Sequence, residues 1–226
     1  MLKDLINLVF PKLCFGCQEI LLENENILCV NCLAHLPYTN QHKITDNAAY
    51  QKFYGRIPIE FAACFLYYSK KGKIQNLIHQ LKYNNHPEIS YYLGKMYALQ
   101  LKETSLDLSF DAIIPTPLHL DKMKSRGYNQ VAGFAEALAE VFKIPIENNI
   151  LYKTKNIKSQ TKKNLFERTS KTEEKFEVRF TDEHYGKHFL LIDDILTTGG
   201  TLESCGKKLL QIPNSKLSLL CLAYTL

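Results

Sequence analysis

The sequence predicts an α/β protein whose mainly parallel sheet is flanked by helices and preceded by a small zinc-binding module. Two apolar runs, 189–192 and 217–223, lack the alternation of a half-exposed strand, so they indicate strands buried on both faces. Twice a strand pattern passes through a loop into a helical pattern, which is the order typical of α/β folds. Four cysteines in two closely spaced pairs stand before this region.

The predicted divisions are residues 1–45 for an N-terminal helix and the cysteine module, 46–59 for a linker, and 60–226 for the α/β domain. A chain of 226 residues with 46% apolar content accommodates one medium-sized domain and a small attachment. The net charge of +5 is modest. No apolar run is long enough to cross a membrane and no cleavage-like site follows the N-terminus, so we expect a cytoplasmic protein without a membrane span.

Residues 2–9 place four apolar side chains on one helical face before Pro11, which indicates a short amphipathic helix. We expect this helix to pack against the module that follows. The alternative is a helix at a membrane surface, which would require a more basic polar face than Lys3 alone supplies.

The cysteine spacing is that of a structural zinc site. Cys14 and Cys17 are separated by two residues, as are Cys29 and Cys32, and eleven residues lie between the two pairs. Two such knuckles bring four sulfurs to one tetrahedral Zn²⁺. A module of about forty residues buries too small a core to fold without such a staple. A pair of disulfides is the weaker alternative, because nothing sends the chain to an oxidising compartment.

The first predicted strand-loop-helix unit begins with a strand at 111–114. The loop contains two prolines, and the helix after it carries apolar residues at helical spacing over 131–141. Arg126 opens this helix and can offer a two-pronged guanidinium to a diphosphate, while Gly127 allows a tight turn beside it. A proline-rich surface turn with a solvent-facing arginine is the alternative.

The second unit carries the clearest chemical signal. Its strand at 189–192 runs into Asp193 and Asp194, and a loop of hydroxyl residues and glycines leads into a helix: Thr197, Thr198, Gly199, Gly200 and Thr201. A helix amino terminus at the carboxyl end of a parallel strand suits a phosphate. Two carboxylates would repel that phosphate unless they face sugar hydroxyls or a divalent cation. A ribose 5-phosphate satisfies both requirements.

Two other interpretations of this segment exist. An acidic turn with an aspartate as helix cap would have no ligand at all. The acidic strand end of a nucleotide hydrolase would look similar, but no G-x-x-x-x-G-K-[ST] phosphate loop occurs in the chain.

The segment 188–201 resembles the fingerprint of type I phosphoribosyltransferases. The resemblance implies that fold, with the acidic pair holding the ribose hydroxyls of phosphoribosyl pyrophosphate or ribose 5-phosphate, directly or through Mg²⁺, and the 197–201 loop holding the 5-phosphate. The sequences Pro-Thr-Pro-Leu-His at 115–119 and Arg-Gly-Tyr-Asn-Gln at 126–130 resemble the version found in the ComF family. That resemblance implies pyrophosphate-binding residues at Thr116, Pro117, Leu118 and Arg126.

Between 153 and 171 the chain carries seven positive residues and one glutamate, without sustained periodicity. This stretch resembles the flexible loop that closes over the sugar diphosphate, and Gln160, Leu165 and Arg168 match the ComF pattern. Ser170 stands where that pattern usually has asparagine. A merely solvated loop is the alternative.

Two functions remain open on this resemblance. ComF proteins are associated with natural competence, which implies a sugar-diphosphate-binding protein that handles single-stranded DNA in the cytosol, with competence proteins as partners. The alternative is an active phosphoribosyltransferase in which Asp193, Asp194 and Arg126 act on bound substrate and an unidentified base or amine accepts the sugar. The fold does not decide between them.

Overall fold

The computed structural model describes residues 10–70, 72–104, 106, 108–118, 120–154 and 176–225. Its helices are α1 (Val30–Ala34), α2 (Ala48–Gln51), α3 (Lys73–Tyr83), α4 (Glu88–Lys102), α5 (Leu120–Arg126), α6 (Ala132–Phe142) and α7 (Gly200–Leu209). Its strands are β1 (Phe61–Tyr68), β2 (Ala112–Pro115), β3 (Leu151–Lys153), β4 (Phe176–Val178), β5 (His188–Leu196) and β6 (Lys216–Thr225). The predicted helix at 2–9 and the loop residues Gln160 and Arg168 lie outside the described residues.

Four strands form one parallel sheet in the order β1-β6-β5-β2. The predicted fold class, a parallel sheet flanked by helices behind a four-cysteine module, is confirmed. β5 is longer than the predicted strand at 189–192, because β6 stays paired with it as far as Leu196 opposite Tyr224. Asp193 and Asp194 therefore lie within the strand near its carboxyl end, and the strand ends four residues later than predicted.

Helices cover both faces of the sheet, which explains why its strands are apolar without interruption. Side chains along β5 alternate between two cores, because successive residues of a strand point to opposite faces. Leu190 and Ile192 pack with α3, α4 and α6, whereas Phe189 and Leu191 pack with α7 and with Phe53. Among the described helices, none combines the length and the apolar character needed to cross a membrane.

Two local elements differ from the sequence predictions. Arg126 was expected to open the helix that carries 131–141, but it ends the separate helix α5, and α6 begins only at Ala132. The sequence has no sustained periodicity between 153 and 171, but the strands β3 and β4 at the two sides of this stretch pair antiparallel. Leu151 and Phe176, in these strands, are buried in the second core. Apolar residues thus anchor both sides of the basic segment.

The cysteine module packs directly on the α/β domain. Cys14 and Cys32 belong to the same apolar core as residues of α3 and α4. The Asn76 side-chain amide on α3 donates to the carbonyl of Gly16 at 3.1 Å. The predicted linker 46–59 is also packed, since Phe53 is fully buried against the second core. The division at 46–59 stays a prediction about chain organisation, but these residues are part of the folded body.

Candidate functional site

The parallel register brings Thr116 beside Asp193 at the carboxyl edge of the sheet. Ala112 lies opposite Phe189, so the residue after β2 falls next to the first acid of β5. The Thr116 hydroxyl donates to the Asp193 carboxylate at 2.9 Å, and the Asp194 N–H donates to the same oxygen at 2.9 Å. One predicted pyrophosphate residue and one predicted ribose residue thus meet in a single hydrogen-bonded group. Pro117 and Leu118 follow, both half-buried.

Asp194 points to the other face of the sheet, where α3 ends. The Lys82 ammonium lies 2.7 Å from its carboxylate and forms an ion pair with it. Asp194 is only 5% exposed, so the pair is shielded from solvent screening. Lys82 carries no signal in the sequence, because a lysine in the last turn of a helix is ordinary and its partner is distant in the chain.

The acidic pair is held in an electrostatically unfavourable state. Burial, followed by the charge of Asp194, raises the pKa of Asp193 to about 7. The Asp194 N–H, the Thr116 hydroxyl and Lys82 oppose this rise without cancelling it. These carboxylate oxygens suit a ligand that donates hydroxyl hydrogen bonds or a divalent cation, since either would stabilise the charged carboxylates.

The loop after β5 places the amino end of α7 at the same edge of the sheet. Gly199 is the residue before the helix and has a φ of 79°, in the left-handed region that favours glycine. Gly199 is buried, whereas Thr197, Thr198 and Gly200 are exposed and Thr201 is half-buried. A helix of ten residues thus opens beside exposed residues at the predicted phosphate position.

A basic cavity of about 370 Å³ adjoins the acidic pair through Lys82. Arg126 stacks over the Tyr83 ring, 5.4 Å from its centroid, and donates to the Gln130 side chain at 2.8 Å. Tyr83 is 66% exposed. The cavity is lined by Lys82, Tyr83, Asn85, Lys122, Ser125, Arg126 and Tyr128. The structure therefore brings Arg126 and Lys82 to one concave surface, with room for an anionic group.

The four cysteines form a separate cluster in which all the sulfurs lie within 4.8 Å of one another. The backbone N–H of Cys29 donates to the Cys14 sulfur at 3.3 Å, and the N–H of Cys32 donates to the Cys29 sulfur at 3.4 Å. Burial by itself would raise the pKa of the Cys14 thiol, but hydrogen bonds from the backbone of Cys29, Cys17 and Gly16 lower it to about 7. The cluster is positioned to bind a metal ion.

A scan against models of known protein families finds no match. Competence protein F of Haemophilus influenzae is 26% identical to this chain over 204 residues, which is 87% of this chain and 83% of that protein. DNA utilization protein YhgH of Shigella flexneri is 29% identical over 154 residues, and that of Escherichia coli K12 is 28% identical over the same length. Each of the two YhgH matches covers 66% of both chains.

Among solved structures, glutamine phosphoribosylpyrophosphate amidotransferase from B. subtilis matches 63% of this chain and 30% of its own, with a TM-score of 0.42 and 17% identity. Adenine phosphoribosyltransferase from Saccharomyces cerevisiae matches 62% of this chain and 70% of its own, with a TM-score of 0.39 and 18% identity. The sequence matches confirm the resemblance that the motifs predicted: the chain is a relative of Competence protein F and of DNA utilization protein YhgH.

Proposed function

We propose that this chain binds phosphoribosyl pyrophosphate, or ribose 5-phosphate, at the carboxyl edge of its sheet and takes part in handling single-stranded DNA during natural transformation. One observation carries the ligand assignment. Two adjacent acids near the end of β5, Asp193 half-buried and Asp194 buried, are followed two residues later by a threonine- and glycine-rich loop that opens α7. Acceptors for sugar hydroxyls and donors for a phosphate thus stand one after the other.

Each part of the ligand has a matching group of residues. The 5-phosphate would lie on the exposed backbone of the loop, where helix N–H groups and threonine hydroxyls donate. The ribose hydroxyls would donate to Asp193 and Asp194. Mg²⁺ would be held by the same carboxylate oxygens, because it prefers hard oxygen ligands, and it would neutralise the diphosphate. The diphosphate would extend into the basic cavity beside Lys82 and Arg126.

The DNA role rests on different support. The relatives are named for competence and for DNA utilization. In this chain the basic cavity carries an exposed tyrosine among three cationic side chains, Lys82, Lys122 and Arg126. Aromatic faces that stack bases beside cations that contact phosphates are the common means of binding single strands. We place this activity in the cytoplasm, with competence proteins as partners.

Phosphoribosyl transfer is the second candidate function, and the juxtaposition of the acidic pair with the basic cavity favours it. Positive charge from Lys82 and Arg126 would stabilise the departing pyrophosphate, while the carboxylates would stabilise positive charge that develops on the ribose. The described residues include no obvious base for an acceptor, so the acceptor remains a base or an amine of unspecified structure.

For the cysteine cluster we propose structural Zn²⁺. Four thiolates at a Zn–S distance of about 2.3 Å stand about 3.8 Å apart in a tetrahedral site. The Cys17 and Cys29 sulfurs are already 3.7 Å apart, and the other separations stay within 4.8 Å. The four sulfurs therefore fit the ion. Loss of the ion would also destabilise α3 and α4, because they share a core with the cysteines.

The first prediction concerns the acidic pair. Replacing Asp193 and Asp194 together with asparagine should abolish most Mg²⁺-dependent binding of phosphoribosyl pyrophosphate, a loss of at least about 2 kcal/mol for charged hydrogen bonds and ion ligation. Calorimetric titration measures it, with Asp111→Asn at the other end of β2 as the control. Equal affinity of the double variant and the unaltered protein would refute the assignment. Pyrophosphate release during the titration would favour the transferase.

The second prediction follows from the raised pKa of Asp193. Because the folded-state pKa lies above the ordinary 3.8, the folded state binds more protons between about pH 4 and pH 7, and stability is lost as pH rises through this window. Asp193→Asn should therefore raise the free energy of unfolding by about 1–3 kcal/mol at pH 8 and by much less at pH 4. Urea unfolding at both pH values measures this. A gain that is equal at both would contradict it.

The third prediction concerns DNA. If the basic cavity contacts a strand, Lys122→Ala should reduce the log–log salt slope of oligothymidylate binding by about 0.7, the value for one phosphate contact. Tyr83→Ala should weaken binding without changing the slope, because it removes stacking and no charge. Lys95→Ala, whose lysine pairs with Glu140 on another surface, is the matched control. Failure to bind oligothymidylate even in low salt would contradict the DNA role.

The fourth prediction concerns the metal. Elemental analysis of the purified reduced protein should find about one Zn²⁺ per chain. Cys29→Ser should lose the ion and lower the melting temperature of the whole chain, since the module shares its core with α3 and α4. Cys205→Ala, a buried cysteine far from the cluster in sequence, should keep the ion. Zinc-free protein that melts like the zinc-bound form would show that the cluster has no structural role.

A further inference from the structure

The residues behind the loop that opens α7 hold its backbone in a defined orientation. Phe53 lies against Gly199 so closely that a Cβ on that glycine would stand 3.0 Å from the aromatic ring. The ammonium of Lys52 donates to the Thr197 carbonyl at 2.5 Å and to the Thr225 carbonyl at 3.3 Å. The loop therefore contacts an aromatic ring, Phe53, and a cation, Lys52, on the same side, which we call its rear side.

Arg56 makes the second cationic contact with the loop. Its Nη1 donates to the Thr198 carbonyl at 2.9 Å and to the Lys52 carbonyl at 2.8 Å. Its Nε donates to the Glu203 carboxylate at 2.9 Å, and Nη2 pairs with the same carboxylate. Glu203 lies in the first turn of α7. One planar guanidinium thus ties the loop, the helix that follows it and the segment behind it in a fixed geometry.

Because the peptide bond is planar, these contacts with the loop carbonyls also fix the directions of the loop N–H groups. In a trans peptide the carbonyl and the N–H of the next residue point in opposite directions. With the Thr197 carbonyl turned to Lys52, the N–H of Thr198 points away from it, and the same relation holds for the Thr198 carbonyl and the N–H of Gly199. Two consecutive amides therefore face away from the rear side of the loop.

We propose that Lys52 and Arg56 are positioning residues that fix the Thr197–Thr198 and Thr198–Gly199 peptide planes, so that their N–H groups are preorganised to bind the 5-phosphate. The inference rests on the proposed function and deepens it. Without these contacts either peptide could rotate and turn a carbonyl toward the anion. Neither cation contacts the phosphate in this scheme; both act on the carbonyls behind it.

The chain offers variants that separate orientation from charge. Arg56→Lys keeps the positive charge but cannot hold the Thr198 carbonyl and the Glu203 carboxylate with one rigid fork. Arg56→Met and Lys52→Met each remove both the charge and the contact. Lys207→Met removes an equal charge from the same Glu203 carboxylate, which Lys207 contacts at 2.6 Å, and leaves the loop carbonyls untouched. Thermal unfolding of each variant shows that it is folded before binding is measured.

Calorimetric titration with ribose 5-phosphate is the test. Arg56→Lys, Arg56→Met and Lys52→Met should each bind about tenfold more weakly than the unaltered protein, the order of magnitude for a hydrogen bond to a charged group. Lys207→Met should change affinity less than about twofold, since exposed pairs contribute little. In amide NMR spectra, ribose 5-phosphate should shift the Thr198 and Gly199 N–H signals in the unaltered protein and much less in Arg56→Lys.

Three results would overturn the inference or its basis, and they are distinguishable. An unaltered protein that binds neither ribose 5-phosphate nor phosphoribosyl pyrophosphate would refute the proposed function itself. Binding by Arg56→Lys equal to that of the unaltered protein would refute the positioning role alone. Lys207→Met that weakens binding as much as Arg56→Met would show that net charge near the loop, and not peptide orientation, governs affinity.

Discussion

The placement of two adjacent carboxylates near the end of β5, one half-buried and one buried, is the constraint on which the rest of the structure depends. Buried charges of like sign destabilise a fold unless each meets a compensating group. Thr116 and the Asp194 N–H donate to Asp193, and Lys82 pairs with Asp194. The parallel register must therefore place Thr116 beside Asp193. The helix α3 must end at the carboxyl edge of the sheet, so that Lys82 reaches Asp194. A protein selected for stability alone would have no reason to keep the arrangement.

The position of α3 in turn depends on the cysteine module. Asn76 joins the helix to Gly16, and the rings of Phe15 and His86 stand 4.5 Å apart just beyond the end of the helix. Because Lys82 lies at that end, the module supports one side of the acidic pair from a distance. A separately folding appendage would not share a core with the helix it contacts. The cysteine cluster and the candidate ligand site are therefore parts of one body.

Sequence reasoning succeeded where the signal is local. The apolar runs predicted β5 and β6, helical spacing over 131–141 predicted α6, and the neighbouring acidic and Thr/Gly residues predicted the edge of the sheet where they meet. It failed for residues whose meaning depends on distant partners. Lys52 and Arg56 contact loop carbonyls more than 140 residues away, since the separations are 145 and 142. They lay in a segment called a linker because its four-residue helix is too short to show periodicity.

In the proposed scheme, the two cationic contacts allow one edge of the sheet to hold carboxylates and a phosphate together. A lysine or arginine placed directly on the phosphate would also be attracted to the neighbouring acids and could form an ion pair with them when the ligand is absent. Backbone amides cannot be captured in this way, because their orientation is fixed by the chain. With Lys52 and Arg56 bound to the Thr197 and Thr198 carbonyls, the loop would present neutral N–H donors to the anion. Lys82 meanwhile keeps its ion pair with Asp194.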